Sequence, residues 1–155
     1  MIRILFICHG NICRSVSAEY IMKYLIEDKT SGDVDIFIDS AATSLEEIGN
    51  QIYPPMRKTL ESHKIPIGTH RARRVGKSEY EDFDLIIAMD EENMYNLNRL
   101  FDGDPMGKVH YLMEYTDTPD AIIEDPWYTR RFENVYKSIR EGCSGLLDRI
   151  RSHQI

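Results

Sequence analysis

The sequence predicts one α/β domain, an about four-stranded parallel sheet with helices on both faces. Three observations predict it. Residues 2–7 form an apolar, β-branched run that gives way to Gly10-Asn11 and then to a helical pattern. Residues 85–89 form a continuous apolar run, as a central strand covered on both sides requires. Strand-like and helix-like segments alternate along the chain, an order that lays strands parallel through crossover helices.

Taken in order, the first strand leads into Cys8. A helix is expected from about Ser15 to Asp28, with Ala18, Ile21, Met22 and Leu25 on one face, ending near Thr30-Ser31-Gly32-Asp33. Val34, Ile36 and Ile38 alternate with Asp35 and Asp39, a second strand, followed by a small-residue loop Ser40-Ala41-Ala42-Thr43-Ser44. Pro54-Pro55 opens a helix to about His63, since proline suits a first turn, and Ile65-Pro66-Ile67 closes it. Beyond the central strand, Asp90 can cap a helix carrying Met94, Leu97 and Phe101. Residues 109–112 form the last expected strand. Residues 114–128 are polar and proline-containing, a loop too long to be mere connection. From about Thr129, a long amphipathic helix is marked by Phe132, Val135, Tyr136, Ile139, Cys143, Leu146, Leu147 and Ile150.

A chain of 155 residues fits a single domain, 1–155, with one well-buried core. Its 19 Lys and Arg against 26 Asp and Glu give a net charge of −7, which argues against nucleic acid as a partner. No apolar run approaches the roughly 20 residues that span a bilayer, so no membrane partner is expected. No signal peptide is visible, and three cysteines, an odd number, suit a reduced cytoplasm better than a disulfide framework. His9, His63, His110 and His153 lack metal-ligand spacing, and neither a metal nor a cofactor is expected.

The chemistry is concentrated between the first strand and the first helix, in Cys8-x5-Arg14-Ser15. Five residues, His9, Gly10, Asn11, Ile12 and Cys13, suffice to wrap a bowl whose N–H groups point inward, an anion-binding nest. The next helix adds unpaired N–H groups and a positive dipole end. Cys8 would lie at the floor. Arg14 would close over a phosphate or another oxyanion with its planar fork. Such a field favours thiolate over thiol, so Cys8 reads as a nucleophile that requires no metal. Ser15 can cap the helix, hydrogen-bond the thiolate, or do both.

Cys-x-Gly-Asn-Ile-Cys-Arg-Ser after an N-terminal strand resembles the signature of the low-molecular-weight protein tyrosine phosphatases. The likeness continues through Asp84-Leu85-Ile86-Ile87-Ala88-Met89-Asp90 and the final helix. It implies the phosphotyrosine protein phosphatase I-like fold, a phosphocysteine intermediate and tyrosine-phosphorylated proteins as substrates, with the chain a monomer or weakly self-associating. Glu124-Asp125-Pro126-Trp127-Tyr128 is similar to the family's Asp-Pro-aromatic-Tyr loop. By that resemblance Asp125 is the acid of the first step and the base of the second. Trp127 and Tyr128, which would otherwise read as packing residues, wall a slot for a flat ring. The resemblance also makes Asn11 a strained left-handed residue pinned by Ser40, gives His70 the bracing of the same loop, and leaves Asp90 as helix cap first and site support second.

Other readings remain beside these. Cys13 is either a packed thiol or a partner for a reversible disulfide with Cys8, and Cys143 reads as core. Arg71, Arg73, Arg74 and Lys77 read as a solvated face, or as a patch that steers acidic substrates. The chain departs from the family in having Val16 where proline is common, Ala42 for a frequent glycine, and Leu45-Glu46-Glu47 where an aromatic is frequent. An arsenate reductase of the same fold needs relay cysteines that residues 79–90 lack. A protein arginine phosphatase resembles the sequence closely, but carries Thr at Ile12 and lacks the paired aromatics. A non-catalytic phosphate-binding module and, by architecture alone, an FMN-binding domain complete the alternatives.

Overall fold

A computed structural model describes residues 1–28 and 34–155. Its centre is β1 (Ile2–Cys8), which pairs in parallel with β2 (Ile36–Ala42) on one side and with β3 (Leu85–Ala88) on the other. β4 (Val109–Tyr111) adds to β3, giving the order β2-β1-β3-β4 with every pair parallel. The β1 side chains alternate between two cores, as strand geometry demands. Ile4, Phe6 and Cys8 face α1 (Arg14–Asp28) and the long α6 (Phe132–Arg151). Leu5 and Ile7 face the opposite layer with Leu97 and Phe101, from α4 (Glu91–Leu100) and its end. Burial on both faces is why β1 from Ile4 onward and all of β3 are unbroken apolar runs.

The faces expected of α1 and α6 are the buried ones: Ala18, Ile21, Met22 and Leu25 in the first, and Val135 through Ile150 at helical spacing in the second. Asp90 caps α4, accepting from the Asn93 N–H in a reciprocal capping box. The helix beginning at the two prolines is α2 (Pro54–Ser62). The expected end of α1 at Thr30–Asp33 lies outside the described residues. No helix among the described residues is long and apolar enough to cross a membrane.

Several boundaries differ from the expectation. Ser40, Ala41 and Ala42 are the last residues of β2, not a loop, because the strand is held in register with β1 as far as Cys8↔Ala42. Small size there reflects close packing. A one-turn helix, α3 (Glu79–Asp82), precedes β3 where no element was expected. The third and fourth strands each stop one residue early, at Ala88 and Tyr111. The stretch 114–128 carries the end of a 3-10 turn, Leu112–Tyr115, and the start of α5 (Pro126–Thr129). Arg130, at φ 60°, breaks α5 from α6, so the long helix begins at Phe132 rather than Thr129.

α6 seats closely on the 3-10 turn. A methyl group added at Gly145 would overlap the Tyr115 carbonyl oxygen, and one at Gly142 would overlap Leu112. Gly145 is therefore a contact residue, although glycine costs helix stability. Gly145→Ala is expected to lower the melting temperature by roughly 5 °C, since overpacking against backbone outweighs the gain in propensity. A thermal melt showing a rise instead would mean that α6 does not seat there.

Candidate active site

The turn from β1 into α1 puts the Cys8 side chain at the bottom of a pocket and buries it. Its Sγ receives the Asn11 N–H at 3.3 Å and the Ser15 N–H at 3.4 Å, and lies 3.0 Å from Ser15 Oγ. The polarity of that last contact follows from its surroundings. Asn11 Oδ1 faces the Arg73 N–H (3.2 Å), an obligate donor, which fixes the amide's orientation. Asn11 Nδ2 then donates to Ser15 Oγ at 2.7 Å and to Ser40 Oγ at 3.0 Å. Ser15 Oγ thus accepts from Asn11, and toward a Cys8 thiolate, which can only accept, the Ser15 hydroxyl is the donor. Ser40 in turn donates to the buried Glu19 Oε1 at 2.6 Å. A chain of hydrogen bonds thus runs from the Glu19 carboxylate to Cys8.

Asn11 takes φ 60°, a left-handed conformation costly for a residue with a side chain. The neighbours hold it there. His70 Nε2 lies 2.7 Å from Asn11 Oδ1, which can only accept, so this nitrogen carries a proton; it also lies 3.2 Å from Ser40 Oγ. His70 Nδ1 faces Glu19 at 3.4 Å and Asp39 at 3.7 Å. Asp39 and Glu79 pair with Arg73, at 3.0 and 2.8 Å. Arg73, half-buried and paired to both carboxylates, is thereby part of the buttress behind the loop.

Arg14 is 2% exposed, among the most deeply buried cations of the fold. Its Nη1 donates to Asp90 Oδ2 at 2.6 Å and to the Ile123 carbonyl at 2.9 Å, and its Nη2 lies 3.5 Å from Asp125 Oδ2. Burial alone would lower its pKa, but the negative charge at Cys8, Asp90 and Asp125 outweighs that and raises it. The guanidinium stays charged. Asp125 caps α5 by accepting the Trp127 N–H at 3.0 Å through Oδ1, which leaves Oδ2 turned toward Arg14. Trp127 and Tyr128 stand at the pocket mouth, 47% and 80% exposed, with Trp127 tilted against Tyr53 at 5.0 Å between ring centroids. The pocket encloses about 110 Å³. His9, Gly10, Ile12 and Cys13 line it together with Glu46 and Glu47.

The family model for low molecular weight phosphotyrosine protein phosphatase matches residues 3–154. The chain belongs to that family. The low molecular weight phosphotyrosine protein phosphatase of Homo sapiens is 37% identical over 150 residues, 94% of each chain. The low molecular weight protein-tyrosine-phosphatase PtpA of Staphylococcus haemolyticus is 33% identical over 96% of this chain and 93% of its own length. The crystal structure of YfkJ from Bacillus subtilis superposes with a TM-score of 0.92 at 36% identity, covering 100% of this chain and 98% of that one.

Within this low-molecular-weight phosphatase, the residues singled out from the sequence fall into two groups. Cys8, Arg14, Asp125, Trp127 and Tyr128 meet around one pocket. Asn11, Ser15, Ser40, His70 and Asp90 lie behind or beside it as hydrogen-bond partners. Ser15 is inside α1, which starts at Arg14, so its hydroxyl is not a helix cap and is directed to Cys8 instead. Glu19 and the Ile123 carbonyl went unnoticed in the sequence, Asp39 was read only as a strand residue, and Arg73 only as part of a solvated or steering patch. Glu19 had a legible signal: it is the one acidic residue between Arg14 and Tyr20, one helical turn after Ser15. The Ile123 contact had none, since a main-chain carbonyl leaves no mark on residue type.

Cys8, Cys13 and Cys143 are all free and buried. Burial is the first cause that pushes the Cys13 and Cys143 thiols far up, and the neighbouring Cys8 adds to it for Cys13. Cys143 lies in the core, where the sequence put it. Alkylation with iodoacetamide near neutral pH is therefore expected to give one adduct per folded chain, at Cys8, slowed by inorganic phosphate. Modification of Cys13 or Cys143 at a comparable rate, read by peptide mass spectrometry, would contradict this assignment.

Proposed function

We propose that this chain, as a single domain over residues 1–155, hydrolyses phosphotyrosine on proteins without a metal, through a phosphocysteine. The observation that carries the reading is the Cys8 sulfur, held by two amides and the Ser15 hydroxyl beneath Arg14, with Asp125 at 3.5 Å from the same guanidinium. Cys8 attacks phosphorus in line, forming an S–P bond as the P–O bond to the phenol breaks. Arg14 and the loop amides of residues 9–13 hold the other phosphoryl oxygens. Asp125 gives its proton to the leaving phenolate, which alone would leave poorly. Water then attacks phosphorus, passing a proton to the Asp125 carboxylate, and the S–P bond breaks to release phosphate and the Cys8 thiolate. The Ser15 hydroxyl stabilises that thiolate as it departs.

Substrate choice follows from depth. A sulfur at the pocket floor, with Trp127 and Tyr128 at the mouth, admits a phosphate carried on a long flat ring and leaves phosphoserine short of it. Ile12 in the bowl favours this over phosphoarginine. The absence of cysteine in residues 79–90 tells against arsenate reduction. The reading includes a cytoplasmic location and a monomeric or weakly self-associating chain, consistent with three free thiols.

Kinetics on the purified protein test it. Cys8→Ser is expected to abolish hydrolysis of p-nitrophenyl phosphate; turnover by neither form would point to a phosphate-binding module. Asp125→Ala is expected to lower kcat by about 10²–10⁴ with phenyl phosphate and much less with p-nitrophenyl phosphate, whose phenolate needs little help. An equal loss with both esters would remove Asp125 from the acid role. Faster release of phosphate from phosphoarginine peptides than from phosphotyrosine peptides would overturn the substrate assignment.

A further inference from the structure

Beside the pocket lies a second cavity of about 420 Å³, walled by His9, Thr43, Ser44, Arg74, Asn96 and Arg99. It opens at the carboxyl end of the sheet, one strand spacing from the nucleophile. The Thr43 N–H donates to the Cys8 carbonyl at 3.0 Å and the Ser44 N–H to the His9 carbonyl at 3.1 Å. Arg74 bridges to Ala42, at the end of β2. His9 is a wall of both cavities.

One property of this groove has no role in the chemistry above. Arg74 and Arg99 are exposed and form no ion pair among the described residues, and Arg99 has only the Tyr95 ring beneath it, at 5.7 Å. The carboxylates nearby are all engaged elsewhere. Glu92 and Glu46 hold the two ring nitrogens of His9, at 2.9 and 3.0 Å. Glu47 accepts from Asn50, Asp39 and Glu79 from Arg73, and Asp102 from Lys77. An imidazole whose two nitrogens both meet carboxylates is satisfied only when both donate, hence as imidazolium. Burial works against that charge, yet the two glutamates raise the His9 pKa on balance. In a chain of net charge −7, two arginines therefore line one groove with no ion-pair partner among the described residues.

We propose that this groove is a subsite for an anionic side chain, a carboxylate or a phosphoryl group, carried beside the phosphotyrosine of the same substrate chain. The proposal rests on the phosphatase reading and names the substrate class within it. Arg74 and Arg99 supply the charge, and the shared wall at His9 sets the distance from the phosphotyrosine.

The experiment compares three phosphotyrosine peptides that differ only in flanking residues, Gln, Glu or phosphoserine, with p-nitrophenyl phosphate as the flank-free control. Each is assayed with the wild-type chain and with the Arg74→Gln/Arg99→Gln variant. For wild type, kcat/KM with a Glu or phosphoserine peptide is expected to exceed that of the Gln peptide by about three- to tenfold at low salt. The preference falls toward unity in the double variant and in high salt, while p-nitrophenyl phosphate turnover stays unchanged. Preference for the Glu peptide identifies a carboxylate as sufficient; preference for phosphoserine alone identifies a second phosphoryl group. Equal rates with all three peptides, or a preference that survives in the double variant, overturns the subsite while leaving the phosphatase intact. Failure of the wild type to turn over p-nitrophenyl phosphate would sink both.

Discussion

Asn11 is where the site and the fold constrain each other. Its backbone turns left-handed so that its own N–H points at Cys8, and its side-chain amide meets Ser15, Ser40, His70 and the Arg73 N–H at once. Strain of this kind costs about 1–3 kcal/mol and persists only where the surroundings over-determine it. Here they do. The partners come from α1, from the end of β2 and from the segment before α3, so the loop cannot relax without three other parts of the chain yielding.

The same arrangement fixes the surroundings of the sulfur. The Asn11 amide, oriented by the Arg73 N–H, donates in two directions, to Ser40, whose own proton goes to Glu19, and to Ser15, whose hydroxyl meets Cys8. A buried polar network of this sort is stabilising only when every member is satisfied. Its anchor is a carboxylate that α1 buries and Lys23 pairs from outside, at 2.7 Å. Much of the preorganisation at Cys8 is thus supplied from behind, by side chains that never reach the pocket.

How much of this could be read in the sequence depended on whether the signal was local. The strand, tight turn and helix that frame Cys8 and Arg14 are contiguous, and their apolar periods and Gly10-Asn11 announced them. Asp125 and its aromatic neighbours were legible as a motif by family resemblance. The β2 end was not: Ser40-Ala41-Ala42 looks like a loop because small residues serve both turns and tightly packed strands, and only the pairing with β1 decides between them. Glu19, Asp39 and Arg73 escaped as site residues for a related reason. Each is an ordinary charged residue in an ordinary place, and its meaning comes from partners 20 or more positions away in sequence. The break at Arg130, a left-handed arginine, had no residue-type signal at all.

The position of Arg14 has a consequence for how an anion is captured. Among the described residues it is the sole guanidinium lining a pocket that also holds Cys8, Asp125, Glu46 and Glu47, and one of its faces is already committed to Asp90. A doubly charged guest entering this cavity is therefore met by the open face of one guanidinium, by the His9 ring at the wall and by the inward N–H dipoles of the loop, while the acidic rim opposes its approach. Fixed dipoles act only at close range, so the cavity draws little from afar and selects by the fit of what has already arrived.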